Sequence, residues 1–390
     1  MYKMFFNPYS PGFTTPLTNA CRLLFSHNDS GVSKADEMQQ RLVHLRTACT
    51  TFPESRAHLA NMKAGPVYFL SRRHHLGYCR VAKAGSTFWA QIFLTLEGAD
   101  ATRDEGAFGL TRDEVHAAVR RHPDISVNYT DPELLEATSF LVARDPYSRL
   151  FSAYIDQFYL PNKWHFSKFI SRDDACGSNI SFQQFINFAT AMIIKKMAYS
   201  DPHYAPIFTL CMPCESNVNF VAKHETFNDD TDFILNHAAI DDTFRKEIYL
   251  AIKQHSTIDR LLESLVETYV SKAHKASIRS GCITEKEIAH RIWHAFQIQG
   301  YIHNDDVFPS ELFENIKEQE TSATLKSAVH EVAAHRKWGD RERAAQRRTW
   351  MTSFWRSMDA DLLARVQDAY YEDFIMFGYD LTPDFLHDTQ

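Results

Sequence analysis

The most constraining stretch is Tyr78-Cys79-Arg80-Val81-Ala82-Lys83-Ala84-Gly85-Ser86-Thr87-Phe88-Trp89. It reads as a short apolar strand, a tight turn, and a helix that continues through Gln91, Ile92, Phe93 and Leu96. A helix start offers unpaired N–H groups and partial positive charge, which suit a phosphate. Gly85 lets backbone approach an anion closely, and Ser86 or Thr87 can cap the helix or donate to an oxygen. The stretch fits a phosphate cradle and an ordinary strand–turn–helix with a solvated lysine equally well. It is not a Walker A loop, because Lys83 precedes Gly85 instead of following a second glycine.

A second unit of the same kind follows. Thr138-Ser139-Phe140-Leu141-Val142-Ala143 is short and apolar enough for a buried parallel strand. It ends at Arg144-Asp145-Pro146, where Asp145 suits an N-cap and proline the first helical turn. Ligands of open α/β sheets sit at such carboxyl ends, so Arg144 can fork onto a second phosphate. Ser152 lies two turns further along; taken alone, it reads better as a small packing residue. Phe220 to Thr226 looks like a third strand. These units predict an α/β fold with a central parallel sheet flanked by helices.

The 390 residues, 44% of them hydrophobic, are ample for a buried core. A net charge of -7 argues against general nucleic-acid binding. Seven scattered cysteines do not make a disulfide scaffold, and Cys211-Met212-Pro213-Cys214 alone does not make a zinc site. A disulfide or two inert thiols fits those two cysteines better. Sequons at Asn28, Asn128 and Asn179 permit a secretory route. No signal peptide or membrane-spanning run is visible.

Residues 1–35 read as irregular and 36–390 as one domain. Residues 36 to 50 have helical spacing, and from about 230 to 375 the pattern is mostly helical. The stripes Ile258-Leu262-Leu265-Tyr269 and Ile288-Ile292-Phe296 read as core, not as cofactor sites. His330 and His335 are five apart, about 140° around a helix, so they do not share a metal easily. No metal is expected. The basic run from Arg336 to Arg348 reads as a solvated face, with an acidic polymer as the alternative partner.

Four segments, taken in order, resemble the Golgi carbohydrate sulfotransferases of the HNK-1/chondroitin/dermatan 4-O-sulfotransferase group. Cys79 to Trp89 resembles their 5′-phosphosulfate-binding segment, and Leu141 to Tyr154 their 3′-phosphate-binding segment. Asp201 to Thr226 is similar to their central block, and Tyr371 to Tyr379 to their C-terminal signature. The family usually has proline at Ala82, cysteine at Ser86, asparagine at Phe88 and a Lys-Arg pair at Ala90-Gln91. The stretch from about 240 to 350 is longer than the family leads one to expect, so it reads as a helical insertion.

The resemblance implies a P-loop-like sulfotransferase fold. It implies transfer of a sulfonyl group from PAPS (3′-phosphoadenosine 5′-phosphosulfate) to a hydroxyl of a glycan or glycosaminoglycan, in the Golgi lumen, by a type II membrane protein. Lys83, Ala84, Gly85, Ser86 and Thr87 would then hold the 5′-phosphosulfate, with Lys83 stabilising the departing oxygen. Arg144 and Ser152 would hold the 3′-phosphate. His203 is the candidate general base, against a loop histidine fixing its own turn. Glu225 is the runner-up, against an ion pair with Lys223. A non-catalytic nucleotide- or glycan-binding relative is the alternative, and a nucleotide kinase a more distant one.

Overall fold

A computed structural model describes residues 33–51, 67–98, 106–171, 178–195, 201–238, 240–255, 258–275, 281–336 and 338–386. The sequon at Asn28, Cys21, Cys176, Lys337 and residues 1–32 lie outside the described residues.

Among the described residues, five strands form one sheet: β1 (Val67–Ser71), β2 (Leu76–Cys79), β3 (Ser126–Asn128), β4 (Thr138–Ala143) and β5 (Val218–Lys223), in the order β3-β1-β2-β4-β5. β2 runs parallel to β4, and β4 to β5, while β1 is antiparallel to both of its neighbours. The expected α/β class is therefore present with one reversed strand. β1 turns back through a tight 72–75 turn, too short for the crossover that a parallel pair requires. β2 is buried throughout, and β4 from Ser139 to Ala143. That explains why both lack the polar alternation of a one-sided strand.

Helix α1 (Lys34–Thr51) covers the outer edge of β5. Arg41 donates to the Val221 carbonyl at 3.2 Å and Arg46 to the Val218 carbonyl at 3.1 Å. Open edge carbonyls are thereby satisfied by side chains in place of another strand. Helix α2 (Ser86–Leu96) follows β2 and is buried on every side from Phe88 to Leu94. Helix α3 (Arg112–Arg121) starts at a Thr111–Glu114 capping box. Helix α4 (Pro146–Tyr154) follows β4 and is capped by Asp145, whose carboxylate accepts from Ser148 N.

Two apolar cores result. One surrounds the sheet and contains Tyr78, Trp89, Phe93 and Phe140. The other joins α4 to the C-terminal helices through Tyr147, Phe151, Trp293, Trp355 and Phe374. Its helices include α5 (Ile258–Ala273), α6 (Glu285–Ile298), α7 (Asp340–Arg356) and α8 (Tyr371–Phe377). Asp373 on α8 accepts from Ile207 N and Phe208 N at 2.7 and 2.8 Å, so the C-terminal segment pins the central block.

Cys211 and Cys214 are both oxidised, but not to each other. Cys211 bonds Cys79 at the end of β2, and Cys214 bonds Cys49 on α1. Cys282 is also disulfide-bonded. Among the described residues no helix is long and apolar enough to cross a membrane.

Candidate active site

The loop between β2 and α2 reverses sharply. Lys83 and Gly85 both have positive φ, 67° and 89°. Such backbone is unfavourable for a lysine, and strain of this kind concentrates at ligand sites. At Gly85 a Cβ would also overlap the Phe227 ring. The first bond within α2 runs from Trp89 N to Gly85 O, which leaves the Ser86 and Thr87 amides directed out of the helix start. Ala84 N donates to Val81 O at 3.3 Å within the turn.

This loop borders a cavity of about 400 Å³ at the junction of the two cores. Lys83, Ser86 and Thr87 line it with Arg112, Asp156 and His203, and Tyr269, Phe296 and Tyr301 line it from the helical half. That lining departs from expectation. Leu262, Ile288, Ile292 and Phe296 are core, but Tyr269, buried in the same stripe, also donates to Asp156 Oδ1 at 2.8 Å within the site.

Asp156 is the hub that sequence reasoning missed. It sits in a π turn, Ile155–Tyr159, that ends α4 and swings the carboxylate inward. Lys83 Nζ lies 2.7 Å from its Oδ2, and Arg112 grips both of its oxygens. Gln157 and Asn162 donate to it as well. Burial works against ionisation, yet Arg112 and Lys83 hold the carboxyl well below the usual range. Burial pushes the Lys83 ammonium down to about 8, with Arg112 and Arg144 acting the same way and Asp156 against them. The Thr111–Glu114 capping box was the one sequence signal placing Arg112 on a first helical turn. Nothing marked Asp156.

His203 faces the same cavity. Its Nδ1 lies 2.6 Å from Asp201 Oδ1, which also accepts from His203 N at 3.0 Å and belongs to a carboxylate ion-paired with Lys163. A proton on Nδ1 leaves Nε2 as the acceptor. Burial keeps this imidazole neutral well below its ordinary pKa, with Lys83, Arg112 and Lys163 adding to the effect against Asp156. His116, which also lines the cavity, is pushed down to about 4 by burial and by Arg112 and Arg80.

Arg149 fixes the loops that carry Lys83 and His203. It is fully buried and donates to Ala82 O at 3.0 Å, Ala205 O at 2.6 Å and Pro202 O at 3.0 Å.

Arg144 lies on the other side of the Lys83 loop. Its Nη1 donates to the Lys83 carbonyl, and Nε and Nη2 donate to Ser148 Oγ at 3.2 and 2.9 Å. It is buried and does not line the large cavity. One residue thus has its amine in the cavity and its carbonyl on the guanidinium. Ser152 is fully buried, and among the described residues its hydroxyl meets no partner. Glu225 is elsewhere, accepting from Asp145 N and Tyr379 OH at 3.2 and 2.9 Å. Its neighbour Lys223 sits over the Tyr379 ring, not on the Glu225 carboxylate. His330 contacts Glu263 and His335 contacts the Glu331 carbonyl, so the two are separately engaged. The basic run is only partly solvated: Arg336 pairs with Asp306, and Arg343 donates to Gly300 O and Tyr301 O.

A sequence profile described as the sulfotransferase family matches residues 66–294, more than half of the chain. The chain belongs to the sulfotransferase family. As a sulfotransferase-family chain it is 27% identical over 228 residues to carbohydrate sulfotransferase 10 of Xenopus laevis, covering 54% of this chain and 62% of that protein. It is 29% identical over 220 residues to carbohydrate sulfotransferase 8 of Mus musculus, covering 52% and 51%. Carbohydrate sulfotransferase 12 of Mus musculus is 27% identical over 200 residues, covering 43% and 47%. The chain therefore spans about half to three-fifths of the curated relatives it matches. No solved structure matches it. Both strand–turn–helix units of this sulfotransferase chain, with Asp156 and His203, fall within the matched residues.

Proposed function

We propose that this chain transfers a sulfonyl group from PAPS to a hydroxyl of a glycan or glycosaminoglycan. One observation carries the reading. The Lys83 loop presents its ammonium to a cavity shared with His203 and its carbonyl to the Arg144 guanidinium. A single nucleotide with two separated anionic ends suits that arrangement. The Ser152 hydroxyl, without a partner among the described residues and carried by the helix that follows Arg144, fits a phosphate ligand there.

The residues divide the work as follows. Ser86, Thr87 and the start of α2 hold the 5′-phosphate. Lys83 neutralises charge on the oxygen that leaves sulfur. Arg144 and Ser152 hold the 3′-phosphate. His203 Nε2 takes the acceptor hydroxyl proton as that oxygen bonds to sulfur. The sulfur–oxygen bond to the 5′-phosphate breaks, its electron pair stays with the phosphate, and 3′,5′-ADP departs. His203 is preferred to Glu225 because it shares the cavity with Lys83, whereas the Glu225 carboxylate is committed to Asp145 and Tyr379. Asp201 orients the imidazole.

The relatives' names support a carbohydrate acceptor. Disulfides belong to an oxidising compartment, which supports the Golgi lumen, and Asn128 and Asn179 are exposed as glycosylation would require. Thermal-shift titration tests the donor site. 3′,5′-ADP is expected to raise the melting temperature more than ATP with Mg²⁺ at equal concentration. A larger shift with ATP and Mg²⁺ would contradict the assignment.

A further inference from the structure

Resting on the donor reading above, we propose that Arg347 completes the 3′-phosphate socket. It would bring a second guanidinium from the helical C-terminal half to the group held by Arg144 and Ser152. Arg347 lies on α7, beyond the residues 66–294 that carry the family match.

Its placement is specific. Nε donates to Gln299 Oε1 at 2.8 Å, and Gln299 lines the large cavity. The guanidinium carbon sits 5.8 Å from the centre of the Phe151 ring on α4, the helix that also carries Ser152. Among the described residues, the buried Nη2 meets no acceptor and the buried Ser152 hydroxyl meets no partner. All hydrogen bonds of the Arg144 guanidinium go to neutral oxygens, at Ser148 and Lys83.

Neither arginine is ion-paired among the described residues. The nearest carboxylates are already used. Asp145 caps α4, and burial raises its pKa to about 7. Glu225 accepts from Asp145 N and Tyr379 OH. Burial first and Arg347 second depress Arg144 to about 9, against Glu225 and Asp145, and burial with the same two arginines keeps His224 neutral. Two guanidiniums that repel each other, with the orphaned Ser152 hydroxyl on α4, form an unfavourable cluster that a bound anion relieves. A phosphate dianion accepts from several directions and satisfies all three donors.

The test is calorimetric titration of the full chain with 3′,5′-ADP and with 5′-AMP, which lacks only the 3′-phosphate. Arg347→Met keeps an apolar stem over Phe151 and removes the charge. It is expected to weaken 3′,5′-ADP by about 10- to 100-fold, the scale of a lost charge-assisted hydrogen bond, while 5′-AMP affinity stays unchanged. Should Arg347→Met fail to fold, Arg347→Lys is the second variant, with an expected loss of about 3- to 10-fold in the same preference as the fork becomes a point charge. A wild-type preference for 3′,5′-ADP that survives unchanged in the folded variant overturns the Arg347 assignment alone. A wild-type chain with no preference for 3′,5′-ADP over 5′-AMP overturns the donor reading and this assignment together.

Discussion

Lys83 sits with a buried carboxylate on one side and a backbone it strains to maintain on the other, and its charge is correspondingly conditional. The ammonium is present below about pH 8 and is lost as pH rises through that value. kcat/KM should therefore fall above about pH 8. Because Asp156 raises the Lys83 pKa, Asp156→Asn should move that alkaline limb to lower pH. It should also destabilise the chain by about 3–5 kcal/mol, since Arg112 and Lys83 lose their buried partner. An unmoved limb in a folded Asp156→Asn variant would remove Asp156 from the control of Lys83. For His203 the neutral form is the working one. Its pKa is depressed, so the imidazole stays neutral through pH 6.5, and kcat should show no acidic limb near that value. His203→Ala should lower kcat by about 10²- to 10⁴-fold with 3′,5′-ADP affinity retained. Equal loss of both would make His203 a donor-site residue.

At the scale of elements, the chemistry is held by ties between loops more than by the strands themselves. Arg149 on α4 joins the Ala82 and Pro202–Ala205 backbones. Arg149→Met leaves three buried carbonyls without their charged donor. It should lower stability by about 3 kcal/mol and kcat together, checked by urea denaturation and turnover; a stable variant with full kcat would contradict the tie. These ties also show what was legible in the sequence. β4 was readable to the residue because a six-residue apolar run bounded by Arg144-Asp145-Pro146 admits few alternatives. The strand–turn–helix around Lys83 and Gly85 was readable from the apolar run on either side of that turn. Asp156 and Arg149 were not, because each looks like an ordinary helical polar residue until a π turn or a neighbouring loop gives it partners. Tyr269 hid inside a stripe that is also core. Arg347 hid in a basic run whose spacing says nothing of which arginine turns inward.

Over the whole molecule, a sheet half and a helical half both border the cavity, and two disulfides tie the sheet half. Cys49–Cys214 and Cys79–Cys211 close loops of 165 and 132 residues in sequence separation. Removing either should cost about 2–5 kcal/mol. A Cys49→Ser/Cys214→Ser variant should melt lower but keep its preference for 3′,5′-ADP. An unchanged melting temperature would contradict the structural role. The pairing was hidden in the sequence because Cys211-x-x-Cys214 invites a local reading, whereas the fold brings Cys79 and Cys49 to it from distant elements.

The central claim is that one nucleotide, anchored on the Lys83 and Arg144 loops, delivers sulfonate to a sugar hydroxyl. Incubation with radiolabelled PAPS and a panel of chondroitin, dermatan, heparan and terminal-sugar acceptors tests it most directly. The account predicts label in at least one acceptor with the wild-type chain and none with Lys83→Ala. A wild-type chain that binds 3′,5′-ADP yet labels no acceptor would contradict it, as would equal labelling by Lys83→Ala.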